Sequence, residues 1–236
     1  NLEYIIVDGL STDNTHKILE FYKGQISKIF IEKDKGIYDA MNKGLKQAKG
    51  ELIGIINSDD YYIKNAFNEV LKVYKSSSKD NIIIYGDMFF EYNKIKVRSK
   101  GDLSEQAFET GKFRINHPSI FVTKRLYDKI GYYDTRYHTG ADREFLLRAY
   151  KNQATFLKIN DCLATFRLGG LTSSYNMMII IKRTKEEFDI LKKYYSIFYT
   201  LRKSIEKFYR MLRNNFFYYI LGQEKFLKLR IKWLKK

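Results

Sequence analysis

Short apolar runs alternate with amphipathic stretches along the first third of the chain. Tyr4-Ile5-Ile6-Val7 is rich in β-branched residues and stops at Asp8-Gly9, the pattern of a buried strand. Ser11-Thr12-Asp13-Asn14-Thr15 then supplies helix-start residues, and Ile18, Leu19 and Tyr22 give a largely apolar face that ends at Gly24. Ile29-Phe30-Ile31 predicts a second strand. A polar stretch, Glu32 to Gly36, leads into a predicted helix from about Ile37 to Lys49, closed by Gly50. Leu52-Ile53-Gly54-Ile55-Ile56 is short, apolar and bounded by turn formers, so it reads as a fully buried strand. A helix near Asn65 to Tyr74 follows. Three strand–helix units in succession predict an α/β fold with a mostly parallel sheet covered on both faces.

From Asn81 the texture changes. Ile82 to Tyr85, Met88 to Tyr92 and Lys94 to Arg98 resemble a β-meander, and His117 to Val122 predicts another strand. A short helix is expected from Lys124 to Ile130, ending at Gly131. Gly140-Ala141-Asp142 opens a strongly helical run, Arg143 to Tyr150, and Thr155 to Ile159 and Leu163 to Phe166 complete the sheet. Gly169-Gly170 predicts a loop. Beyond Tyr175 the chain reads as helix, with Ile197, Leu201, Ile205, Phe208 and Leu212 forming one apolar stripe among basic neighbours. The division that follows is a domain over 1–175, with halves 1–100 and 101–175, and a basic amphipathic extension over 176–236.

The three predicted strands each end in a polar cluster: Asp8, Asp34-Lys35, and Asp59-Asp60. In an open α/β sheet, ligands bind in the crevice beyond the carboxyl ends of the strands. Paired carboxylates there suit Mg²⁺, which takes one or two carboxylates and completes its shell with substrate phosphates and water. The same residue types also cap helices and make turns, so the segment alone leaves both readings open.

Composition narrows the field. The chain has 236 residues, 44% hydrophobic and 16% aromatic, with a net charge of +16. One cysteine, Cys162, excludes an internal disulfide and points to a reducing compartment. No apolar run approaches the roughly 18–20 residues of a membrane span. The opening residues carry no secretory-signal pattern. Residues 182–236 hold sixteen Lys/Arg against five Asp/Glu, so most of the excess charge lies there. That segment either packs on its own domain or lies on an anionic membrane surface, with nucleic acid the least favoured partner.

Taken in order, these motifs resemble those of family 2 glycosyltransferases. Tyr4 to Thr15 is similar to the first nucleotide-binding motif, Lys35-Gly36-Ile37-Tyr38-Asp39-Ala40-Met41-Asn42-Lys43-Gly44 to the second, and Asn57-Ser58-Asp59-Asp60 to the DXD-type metal motif. Gly140-Ala141-Asp142 matches the place of the catalytic base. The resemblance covers about residues 1–175 and is nearest the bacterial branch that builds lipopolysaccharide, O-antigen or capsule chains. It implies a GT-A fold, a nucleotide-sugar donor (a UDP-sugar favoured), inversion at the anomeric carbon, and Mn²⁺ or Mg²⁺. It further implies that the family's first strand and helix are absent here. Asp8, Lys35, Gly36, Asp39, Asn42 and Asp59 would meet the donor, and Asp59 and Asp60 the metal. Asp142 would be the base. The sequence departs from the family at Asn57, where an Asp is common, at Met41, where an Arg is common, and at Ala141, where a Glu is common.

His117 opens a strand beside the expected acceptor cleft, and Gly169-Gly170 is placed to fold over the diphosphate through backbone N–H groups. The acceptor would be a lipid-linked or growing glycan, handled in the cytoplasm or at the inner face of a membrane. A sugar nucleotidyltransferase is the second enzyme reading, and a non-catalytic basic module for nucleic acid or anionic glycan is the third.

Overall fold

β1 (Ile5–Asp8) and β2 (Lys28–Ile31) pair in parallel in the computed structural model, which describes residues 2–169 and 177–234. α1 (Thr15–Tyr22) connects them. α2 (Ile37–Gln47) then carries the chain back, and the Lys49 N–H donates to Glu3 Oε2 at 2.7 Å. β3 (Leu52–Gly54) therefore begins at the end where β1 begins. The tips of β1 and β2 lie side by side, with Asp8 in register with Ile31.

The main sheet has six strands in the order β3-β7-β5-β8-β4, with β6 paired to β5. β4 is Tyr61–Tyr62, β5 Ile82–Tyr92, β6 Ile95–Ser99, β7 Ile120–Thr123 and β8 Thr155–Arg167. Only β1/β2 and β5/β8 are parallel; β3/β7, β5/β7, β5/β6 and β4/β8 are antiparallel. The expected mostly parallel sheet is thus a mixed one. Its central strands are buried on both faces, and a continuous apolar run reads the same in either direction. Because β7 runs against both neighbours, β3, β5 and β8 share a direction. The start of β7 lies at the edge where β3 ends.

Other expectations shift in instructive ways. β3 is shorter than Leu52 to Ile56 and half-buried rather than enclosed, because it ends the strand order and is paired on one side only. The expected break at Gly86-Asp87 is a register irregularity inside one long β5 strand, matched across the equally continuous β8. His117–Ser119 is a 3₁₀ turn and the strand starts at Ile120, since Pro118 offers no N–H to a ladder.

α3 (Ala66–Ser76) lies against β8 and β5 on one face of the sheet, over Ile82, Ile84, Phe121 and Leu163. The larger core joins Ile83, Tyr85 and Val122 to α4 (Glu105–Glu109), α5 (Lys124–Ile130) and α6 (Ala141–Lys151). Tyr127, Phe108 and Phe145 are among its largest fully buried side chains. Each contributes about 2 kcal/mol or more by leaving water.

α7 (Met177–Tyr194) joins that core through Ile190, which is fully buried. α8 (Ile197–Leu234) breaks at Gly222, where φ is 71°. Its line toward the protein is Thr200, Ser204 and Met211, while Ile197, Leu201 and Ile205 of the apolar stripe stay exposed. Past the break, Phe226, Leu227 and Ile231 pack with Val97 and Leu168. Among the described residues no helix is long and apolar enough to cross a membrane.

Candidate active site

Asp8 is buried at the tip of β1 and is answered by its own turn. Ser11 donates its N–H to Oδ2 (2.9 Å) and its hydroxyl to Oδ1, and His16 Nε2 lies 2.9 Å from Oδ2. Burial pushes this carboxyl up, but those donors outweigh it and hold it below the usual range. The β2 tip packs against the same turn: a side chain at Gly9 would collide with the Asp34 carboxylate. Asp34 in turn accepts the Gly36 N–H at 2.9 Å, and Gly36 enters α2 with φ at 120°, a conformation natural to glycine.

The second motif divides its labour. Asp39 accepts the Lys35 N–H (2.9 Å), which fixes the loop and leaves the Lys35 side chain exposed. Asn42 points the other way, into the protein. Its amide donates to the Tyr133 carbonyl (2.8 Å) and accepts the Tyr133 N–H (3.0 Å). That two-sided bond ties α2 to the segment leading toward α6.

In the turn between β3 and β4, Asp59 has no side-chain hydrogen bond or ion pair among the described residues and is partly exposed. Asp60 immediately precedes β4, whose Tyr61 pairs with Thr165 of β8, and it accepts the Arg167 N–H at 3.0 Å at the end of that strand. Asn57 Nδ2 sits 3.4 Å from its other oxygen. Burial and, further, the adjacent Asp59 charge push the Asp60 carboxyl up to about 6. Gly169, two residues beyond Arg167, has φ at 130°; Gly170 lies outside the described residues.

Asp142 sits in the first turn of α6. Tyr38 on α2 donates its hydroxyl to Asp142 Oδ1 at 3.2 Å, and the Arg143 N–H donates to the same oxygen at 2.8 Å. Both donors go to Oδ1, and among the described residues none goes to Oδ2. His117 is half-buried nearby, with Nε2 3.3 Å from the Tyr133 hydroxyl. Desolvation pulls its pKa down against a smaller upward pull from Asp142, so the imidazole is neutral at pH 7. Burial, reinforced by Asp142, raises the Tyr38 phenol far above its normal value and keeps it a donor.

Three oxygen-bearing groups, Asn57, Asp59 and Asp60, therefore stand in the turn before β4, and the Arg167 charge acts on Asp60 from the end of β8. Among the described residues no group of three or more His, Cys, Asp or Glu is arranged to hold an ion. Hard oxygen donors in this number fit a Mg²⁺ or Mn²⁺ ion that draws its remaining ligands from a diphosphate.

Sequence reasoning missed Tyr38, Arg167 and His16. Tyr38 was findable: it lies four residues before Asn42 and so shares its helix face. Arg167 reaches Asp60 through its backbone N–H, which no residue type announces, and its charge also pulls the Asp60 carboxyl down.

The fold is shared with solved structures of S. aureus TarS. S. aureus TarS in complex with UDP-GlcNAc superposes with a TM-score of 0.63 at 18% identity, covering 94% of this chain and 68% of that one. Its complex with UDP gives 0.56 at 18% identity. The description Glycosyl transferase family 2 matches residues 1–131, and the chain belongs to that family. It is a glycosyltransferase. A PGL/p-HBAD biosynthesis glycosyltransferase of Mycobacterium bovis BCG is 27% identical over 196 residues, covering 82% of this chain and 72% of that protein. An uncharacterised glycosyltransferase of Mycobacterium tuberculosis CDC 1551 is 30% identical over 154 residues, 63% of this chain and 57% of its own.

Proposed function

We propose that the protein moves a sugar from a UDP-sugar to a bacterial surface glycan or its lipid-linked precursor, with inversion at the anomeric carbon. The observation that carries the reading is the Tyr38–Asp142 hydrogen bond, which joins the second donor motif to the candidate base across 104 residues of sequence. An acceptor hydroxyl attacks the anomeric carbon and gives its proton to Asp142 Oδ2, while the nucleoside diphosphate leaves from the opposite face. Tyr38 and the Arg143 N–H hold Oδ1 and so aim the other oxygen.

Asp59 and Asp60 would hold Mn²⁺ or Mg²⁺, which supplies Lewis-acid stabilisation of charge on the departing diphosphate. Asp8, through the turn it braces, and the Lys35-Gly36 loop would shape the nucleotide pocket, with Lys35 free to meet phosphate. Gly169 would lie near the diphosphate, and His117 would face the acceptor. A UDP-sugar is favoured because TarS, of the same fold, is described with UDP and UDP-GlcNAc. A surface-glycan acceptor is favoured because a relative is named for PGL/p-HBAD biosynthesis.

A second observation bears on where the reaction takes place. Phe198, Leu201, Ile205, Tyr209, Phe216 and Tyr219 fall on one face of α8 and are all exposed, flanked by Arg202, Arg210 and Arg213. The stripe runs about 30 Å at 1.5 Å per residue. Aromatic and aliphatic side chains edged by arginine fit the interface of an anionic bilayer, at the inner face of a membrane. The whole reading is tested by UDP release from a panel of UDP-sugars with Mn²⁺ and lipid-linked acceptors, in which Asp142→Asn is expected to lose turnover at least 100-fold. Full turnover in that variant would remove Asp142 from the chemistry.

A further inference from the structure

The segment that presents Asp142 is held along its length by α7. Lys193 lies over the Tyr137 ring at 4.9 Å. Glu186 accepts the N–H groups of His138 (3.0 Å) and Thr139 (2.9 Å) and the Thr139 hydroxyl (2.8 Å). Ile190 packs against Gly140 so closely that a Cβ there would come within 2.7 Å of its Cδ1. Glu187 pairs with Arg143 at 3.6 Å and with Lys207 of α8 at 2.9 Å. Tyr194 donates its hydroxyl to Glu144 at 2.8 Å. Contacts thus fall on residues 137, 138, 139, 140, 143 and 144, and bracket Asp142 on both sides.

Glu186 is the centre of this set. It is buried, yet all its recorded backbone partners belong to another element and none to its own helix. Burial pushes the carboxyl up, and the His138 and Thr139 donors overcome that and hold it below the usual glutamate range. The donors therefore meet a full negative charge, which makes each bond stronger than a neutral one. Two amides of a loop that would otherwise be free to shift are fixed just before the first turn of α6.

We propose that Glu186 is a positioning residue for the transfer reaction: α7 latches the 137–140 loop through it and thereby sets where Asp142 stands relative to the acceptor hydroxyl. The carboxy-terminal helices are then a working part of the acceptor half rather than an appendage. The proposal rests on Asp142 being the base. Displacing a base by about 1 Å costs on the order of 100-fold in rate, so a loop anchor is enough to govern turnover without touching substrate.

The test uses the full chain carrying Glu186→Gln. Glutamine replaces one accepting oxygen with an N–H₂ group that faces an N–H donor, so one anchor becomes a repulsion. Transfer kcat should fall 10- to 100-fold at saturating donor, while the Kd for UDP with Mn²⁺ stays within about twofold. Hydrogen exchange at the His138 and Thr139 amides should accelerate at least tenfold. Gly140→Ala pushes on the same contact from the loop side and should also lower kcat. Adding Ile190→Val, which removes the colliding Cδ1, should restore it. Wild-type kcat in both Glu186→Gln and Gly140→Ala, alongside inactive Asp142→Asn, overturns the latch and leaves the site reading intact. A lowered melting midpoint with unchanged kcat overturns it equally. Full turnover in Asp142→Asn overturns the site reading, and with it the role given to Glu186.

Discussion

Asp8 at the tip of β1 and Asp59 in the turn before β4 are the same residue type, and the protein treats them oppositely. Asp8 is enclosed, accepts from Ser11 and His16, and is held below the normal carboxylate range. Asp59 has no side-chain partner among the described residues, and Asp60 beside it is pushed up to about 6. Asp8 is answered within its own turn; Asp60 is met by the Arg167 N–H and Asn57, and Asp59 by no side chain among the described residues. The difference separates a carboxylate satisfied by its own turn from one without a side-chain partner, a distinction the letters Asp-Gly and Asp-Asp do not make.

The sharpest way to break the comparison is to truncate each acid in turn. Asp59→Ala should reduce UDP release on the order of 100-fold or more, because charge on the leaving group loses its counterion. Its melting midpoint without ligand should stay within a degree or two, since no hydrogen bond is lost. Asp8→Ala should do the reverse in kind. It strands Ser11 and His16 as donors, which costs about 2 kcal/mol of stability by chemical denaturation, and raises the donor KM about tenfold while kcat changes less. If Asp8→Ala were as stable as wild type and as inactive as Asp59→Ala, the two acids would have the same role.

Asp60 gives a smaller effect with a definite sign. Its folded pKa is raised, so its contribution to stability is present below the unfolded value near 4 and is lost as the pH rises through about 6. Asp60→Asn should therefore be more stable than wild type at pH 7–8 in chelator. The gain is about 1 kcal/mol once solvent screening of a half-exposed carboxyl is allowed for, and it should vanish below pH 4. Equal stability across pH 4–8 would mean that the two neighbouring charges do not burden the fold. The smallest effect on turnover is expected far from both acids. Changing Phe198, Tyr209 and Phe216 together to Ser should leave turnover on a soluble acceptor within twofold while weakening partition to vesicles rich in anionic lipid. Unchanged partition would remove the membrane role of α8.

The order of motifs was legible in the sequence because each sits where an apolar run ends, and the ends of β1 and β2 do meet, with Asp34 against Gly9 beside Asp8. Strand direction was not legible: Ile120 to Thr123 has the same apolar character whether it runs with or against Ile82 to Tyr85. The inner face of α8 was not legible either. Its stripe from Ile197 to Ile205 carries the periodicity of a packed face, yet Thr200 and Ser204 are the residues buried. Nor does a glutamate in a basic helix announce that it will bind the backbone of a loop 47 residues earlier, as Glu186 does with Thr139. Contacts between side chains and distant backbone leave no local signature, and it is these that turn a set of motifs into a site.

The central claim is that the turn between β3 and β4, through Asp59 and Asp60, grips a divalent ion together with a diphosphate. Electron paramagnetic resonance of Mn²⁺ titrated into the protein with and without UDP tests it without any turnover. The free-ion signal should fall when UDP and wild-type protein are both present, beyond what UDP alone removes, and Asp59→Ala should abolish that extra loss. An identical loss of signal in wild type and Asp59→Ala would contradict the account.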